Sequence, residues 1–304
     1  MAPRRDPAVP RPVPRRLRIC EDGRHAPPRR LPGDPLRGRR ARPGAPRMTP
    51  GGRTPWGYGD FAIVVVAGIV GSFAGTLVAT LALLDPLSIR GFTVVFAGQV
   101  AGSLGALGFL GPRRGTGDLR RDLGLVLRLR DAWGLPAGVG LQFLVALAVS
   151  PLVRLLFPDG PPEQTIAGIA ANARDPLDLV LLFLAVVVVA PVVEETIYRG
   201  LLLRRIQRSF GTTWAVIGSA AVFALVHLFD PNALAAVPGL FLVGLALAAS
   251  AVRFGDLGVP IFVHAGVNLT GVVVLVLGDR LVAELERLAE EAVEAIVVVA
   301  RLVG

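Results

Sequence analysis

Three short polar patches interrupt the apolar runs of this sequence: Glu194-Glu195 followed by Tyr198 and Arg199, then Phe223 with His227, then His264 with Asn268. An ionisable group inside a long apolar run is costly and marks a functional candidate by default. Carboxylates and imidazoles can together take a proton from water, donate to a developing oxyanion, or hold a metal ion. Adjacent helical positions point about 100° apart, so Glu194 and Glu195 cannot share one role. Arg199 follows Glu195 by four residues, the favourable acid-then-base order, which predicts a neutralised structural pair. Glu194 has Tyr198 at that spacing instead, so the two share a face and Glu194 must find its partner on another helix. Pro191, one turn upstream, lacks an amide hydrogen; it frees a carbonyl and tends to kink its helix.

Phe223 and His227 are four residues apart, as are His264 and Asn268. A lone histidine on an apolar face is more often a satisfied core residue than a catalyst, but depth strengthens the joint case. With boundaries near Arg204, Thr213 and Gly258, a rise of about 1.5 Å per residue puts Glu194 roughly 15 Å deep, His227 about 20 Å, His264 about 9 Å and Asn268 about 15 Å. Four polar groups on three helices then share one slab, which suggests a water-filled cavity opening toward the cytoplasm.

The elements that must position these residues are membrane spans. The chain of 304 residues is 53% hydrophobic, with a mean hydropathy of +0.60 and several apolar runs of the roughly twenty residues that cross a bilayer. The expected fold class is all-α, a polytopic transmembrane helical bundle of seven to eight spans behind a disordered N-terminal tail. Spans are expected at 61–84, 91–110, 134–157, from 177 to the cluster Arg204, Arg205 and Arg208, then 213–229, 233–252 and 259–277. Gly71/Gly75 and Gly98/Gly102 carry the four-residue spacing of small residues that lets helices approach closely in lipid. Arg113, Arg114, Arg120, Arg121, Arg128 and Arg130 place segment 111–131 in the cytoplasm, together with the N-terminus. The loop 158–176, with one arginine, Arg174, suits the outer side, and the protein is expected to be integral to the cell membrane.

Three domains are expected: a tail, 1–53; the bundle, 54–279; and 280–304, an amphipathic helix or a short eighth span. The tail holds 15 arginines against Asp6, Glu21, Asp22 and Asp34, so the formal charge of +9 is concentrated there. Its Arg/Pro/Gly composition is that of a disordered segment, either a cytoplasmic tail touching anionic lipid or a start-site artefact with Met48 as the true start. Basicity confined to a tail argues for membrane lipid as a partner and against nucleic acid. Cys20, the single cysteine, excludes an intrachain disulfide. From 280 on, Leu281, Leu285, Leu288, Ala292 and Ile296 recur at helical spacing opposite Glu284, Glu290, Glu291 and Glu294.

Glu194-Glu195-x-x-x-Arg199, Phe223-x-x-x-His227 and His264-x-x-x-Asn268, complete and in order, resemble the three motifs of the CPBP family, the CAAX-protease and bacteriocin-processing intramembrane endopeptidases. The resemblance covers roughly 60–280. It implies an intramembrane endopeptidase acting on a membrane-associated protein or peptide, in which Glu194 and His227 activate water and His264 and Asn268 stabilise the oxyanion. Glu195 and Arg199, with Tyr198 and Phe223, would support the site. No cofactor is implied, although a zinc version with Glu194, His227 and His264 as ligands stands beside it; the HExxH spacing of zincins is absent. From another class, a proton-relaying transporter or a peptide-binding immunity scaffold could use the same polar groups.

Overall fold

A computed structural model describes residues 56–173 and 175–303. The tail 1–53 with Cys20 and Met48, and also Arg174, lie outside the described residues. Every regular element described is helical: α1 (Tyr58–Leu81), α2 (Ile89–Arg114), α3 (Leu119–Leu123), α4 (Gly134–Leu156), α5 (Thr165–Ala171), α6 (Pro176–Leu182), α7 (Ala190–Glu195), α8 (Arg204–Val226), α9 (Val237–Phe254) and α10 (Gly258–Val303), with short 3₁₀ and π segments between them. Local chemistry sets several of the starts. The Ser88 hydroxyl accepts the Gly91 amide at the head of α2, and the Asp175 carboxylate accepts the Asp178 amide at the head of α6, each satisfying an amide that the first helical turn leaves without a carbonyl.

Six stretches among the described residues are long and apolar enough to cross a membrane: Tyr58–Leu81, Ile89–Arg114, Leu129–Leu156, Pro176–Phe229, Pro231–Phe254 and Gly258–Gly278. The chain is thus an integral membrane protein. The count is six rather than the expected seven because the fourth and fifth expected spans fall in one run of 54 residues. That run does not continue straight. Gly211 has φ 81 and ψ 175, a conformation open to glycine and closed to most other residues. Beyond it the chain returns, so that Ser219 Oγ donates to the Tyr198 carbonyl at 3.0 Å; in a straight helix those residues would be about 30 Å apart.

The bundle closes by removing side chains where helices meet. A Cβ on Gly71 would overlap the Gly98 carbonyl oxygen, and one on Gly98 would overlap that of Gly71, so α1 and α2 touch backbone to backbone. Gly138 of α4 and Gly266 of α10 make the same kind of contact. Large apolar residues such as Phe73, Leu147 and Leu155 point outward, as a lipid-facing surface requires. α10 runs unbroken through Gly278 to Val303, so segment 280–303 continues the last long apolar stretch; Leu288 and Ile296 are exposed.

Charge separates the two ends of the bundle. At one end Arg114 pairs with Asp60, Arg128 with Asp256, and Arg208 donates to the Trp56 carbonyl. At the other, Arg90 pairs with Asp175 and Asp178, and the Thr165 amide donates to Asp230.

Candidate active site

The helix that carries the paired glutamates changes its winding twice. Residues Phe183–Val189 are π-wound, α7 follows, and Thr196–Leu203 are π-wound again; such widened turns recur at functional sites. In the first of them the Ala190 amide reaches back five residues to the Ala185 carbonyl. In that register the next amide, at 191, would serve Val186, but Pro191 has none. The Asn268 side chain fills the gap: its Nδ2 donates to the Val186 carbonyl at 2.8 Å.

Glu195 and Arg199 are fully buried. Arg199 Nη1 donates to Glu195 Oε1 at 2.9 Å and Nη2 to the Gly244 carbonyl of α9 at 3.2 Å, while the guanidinium lies over the Phe223 ring at 4.4 Å. His264 joins this group from α10, its Nδ1 2.9 Å from Glu195 Oε1. The Arg199-paired carboxylate accepts, so Nδ1 carries the proton and Nε2 faces the other way. There, 3.7 Å off, is Glu194 Oε2. Glu195 therefore positions both Arg199 and His264, and His264 spans the two glutamates.

Glu194 is the open member of the pair, its side chain 27% exposed where that of Glu195 is 0%. It lines a cavity of about 620 Å³ together with Tyr198 and His227. His227 Nδ1 is 2.8 Å from the Phe223 carbonyl; a carbonyl only accepts, so Nδ1 is the protonated nitrogen and Nε2 is left as a base. Phe223, itself buried, stands between the two histidines, with ring centroids 5.0 Å from His227 and 5.6 Å from His264. Tyr198 meets Phe223 edge-on at 5.4 Å.

Glu194, Glu195, Tyr198, Arg199, Phe223, His227 and His264 are thus brought together or bridged by Phe223. Asn268 is set apart: it borders a neighbouring cavity of about 600 Å³ between α4, α9 and α10, its amide spent on Val186. The cavity's direction also differs from the expectation. Its outer walls are Gln164, Thr165, Phe229 and Asp230, at the end of the bundle opposite the arginine clusters, so it does not open toward the arginine-rich, cytoplasm-assigned side. Depth counted along single helices gives distance from one face only; it carries no information about which face is covered.

Residues that patch-by-patch reading passes over complete the walls. Gln99 and Ser103 of α2 and Ser72 of α1 line the cavity, and as polar residues within apolar spans they carried the same signal as the glutamates. Ser219 and the Gly244 carbonyl, by contrast, have no signature. Among the described residues no group of three or more His, Cys, Asp or Glu side chains converges as metal ligands. Of the three ligands in the zinc alternative, the structure pairs Glu194 with His264.

Residues 176–270, which hold all three patches, match the family model described as type II CAAX prenyl endopeptidase Rce1-like. An uncharacterized 24.3 kDa protein of Escherichia coli is 30% identical over 151 residues, a span covering 49% of this chain and 67% of that protein. No solved structure matches. With its three motifs inside the matched segment and its polar cluster inside a bundle of membrane helices, the chain belongs to the Rce1-like type II CAAX prenyl endopeptidase family.

Proposed function

We propose that the protein is an intramembrane endopeptidase that hydrolyses a peptide bond of a membrane-associated polypeptide, with Glu194 as the general base. The observation that carries this reading is the contrast within the glutamate pair: one carboxylate is sealed into an ion pair while its neighbour faces a cavity beside two imidazoles. In this scheme Glu194 takes a proton from a water oriented by His227 Nε2. The resulting hydroxide attacks the scissile carbonyl, the C–N bond breaks, and protonated Glu194 returns the proton to the leaving amine. Positioned acid–base groups of this kind contribute roughly 10²–10⁴-fold.

His264 receives the oxyanion. Its Nε2, on the side away from Glu195 and 3.7 Å from Glu194 Oε2, is the atom placed to meet the tetrahedral intermediate, which requires a hydrogen there as donor. Asn268, given by the sequence resemblance to the same donor pair, acts here by holding the Val186 carbonyl and with it the winding that presents Glu194. Glu195 and Arg199 position the site.

The bundle crosses the membrane seven times, counting the run that doubles back at Gly211 as two, with the N-terminus and the arginine clusters in the cytoplasm. Membrane proteomes from cells carrying the wild-type chain or Glu194→Gln test the function. New polypeptide termini that vanish with Glu194 are expected; identical proteomes, with the variant folded and present in equal amount, would sink the proposal and favour a scaffold that binds without cutting.

A further inference from the structure

We infer that the substrate reaches Glu194 from the face opposite the arginine clusters, the extracytoplasmic face, as an extended, uncharged stretch of a membrane-anchored polypeptide. This rests on the peptidase reading and adds to it the side of access and the substrate's chemistry. The first support is the placement of charge. Ten arginines (113, 114, 120, 121, 128, 130, 204, 205, 208 and 253) belong to segments at one end of the bundle, against Asp60, Asp118, Asp122, Asp131 and Asp256. The described segments of the other end hold fewer, among them Arg90 and Arg154 with Arg280 and Arg287 on α10 beyond Gly278, against acids that include Asp85, Asp159, Glu163, Asp175, Asp178 and Asp230. Arginine excess marks the cytoplasmic face, and the cavity opens at the poor end.

The second support is the closure of the rich end. There the Leu257 amide donates to the Gly124 carbonyl, Leu123 packs fully buried beneath Gly200, and Arg204 donates to the Gly255 carbonyl, so segments 119–131 and 253–258 cap the glutamate helix from below. The third is the lining. From rim to floor the cavity runs along α2 from Phe92 to Ser103, about 16 Å at helical rise, room for about five residues of extended chain at roughly 3.3 Å each. Phe229 at the rim is largely exposed, at 77%. Apart from Glu194 the one carboxylate in the lining is Asp230, occupied by the Thr165 and Asn232 amides. No lysine or arginine lines the path, so nothing there would attract an acidic segment or a free carboxylate, and a buried substrate charge would go uncompensated.

Two measurements test this. In a Cys20→Ser background, Thr165→Cys at the rim and Arg120→Cys at the opposite end are each exposed to a membrane-impermeant sulfonated maleimide on intact cells. Thr165→Cys is expected to label at least ten-fold faster in intact cells than Arg120→Cys, which labels only after permeabilisation; the reverse pattern overturns the side of access. The Glu194-dependent termini are then mapped. Cuts on extracytoplasmic, uncharged juxtamembrane stretches are expected, and cuts on cytoplasmic or charge-rich stretches overturn the substrate class. Absence of any Glu194-dependent terminus defeats the peptidase reading itself, and with it the substrate assignment, while the labelling still decides which face the cavity opens on.

Discussion

The hairpin of α1 and α2 and the bundle of α7, α8, α9 and α10 differ in what fills the middle of their helix contacts. In lipid the apolar surfaces of two helices gain little from meeting, so association needs either close packing or polar contact. The hairpin uses close packing along its middle, its backbones in contact at Gly71 and Gly98, with one ion pair, Arg114 with Asp60, at its end. The bundle uses buried polarity: Glu195 with Arg199 and His264, Arg199 with Gly244, Ser219 with Tyr198, Asn268 with Val186. Where backbones meet over absent side chains, the contact fails on added volume. A region built on paired charges fails when a partner is removed, and this is the region that keeps a single carboxylate open.

Three substitutions press on that contrast. The largest effect is expected from Arg199→Ala, which strands Glu195 in a dry interior; breaking a buried pair this way costs roughly 3–5 kcal/mol, read as a fall in thermal unfolding midpoint in detergent. An unchanged midpoint would mean that the pair holds nothing together. Next comes Gly71→Val, expected to cost about 2–3 kcal/mol through overpacking and to raise protease sensitivity in the α1–α2 hairpin first; uniform sensitivity along the chain would erase the distinction between the regions. The smallest is Asn268→Ala, which leaves the Val186 carbonyl without its donor and should cost about 1 kcal/mol. If Asn268→Ala abolished cleavage with stability intact, Asn268 would belong to the oxyanion site.

Much of this was legible in residue spacing because helical geometry is local. The acid-then-base interval of Glu195 and Arg199 corresponds to a 2.9 Å contact, and the glycine intervals of α1 and α2 correspond to their crossing. What spacing could not carry was winding and direction. The π turn before α7 is matched to Pro191 and to Asn268, 77 positions later in the chain, and a second follows α7, so a uniform α rise misstates which faces Glu194 and Glu195 present. That Glu195 also holds His264 needs α7 and α10, whose residues are 69 positions apart, placed side by side. The cavity's mouth depends on segments 119–131 and 253–258 covering one end, a tertiary fact with no periodic trace.

The central claim is a division of labour between two adjacent glutamates, and it is tested most directly by measuring cleavage and thermal midpoint together for Glu194→Gln and Glu195→Gln. Glu194→Gln should keep the wild-type midpoint and lose cleavage on the order of 10³-fold. Glu195→Gln should lower the midpoint, because Arg199 is then buried without a counter-charge, and reduce cleavage less. Retained cleavage in Glu194→Gln, or a full loss confined to Glu195→Gln at an unchanged midpoint, would contradict the account.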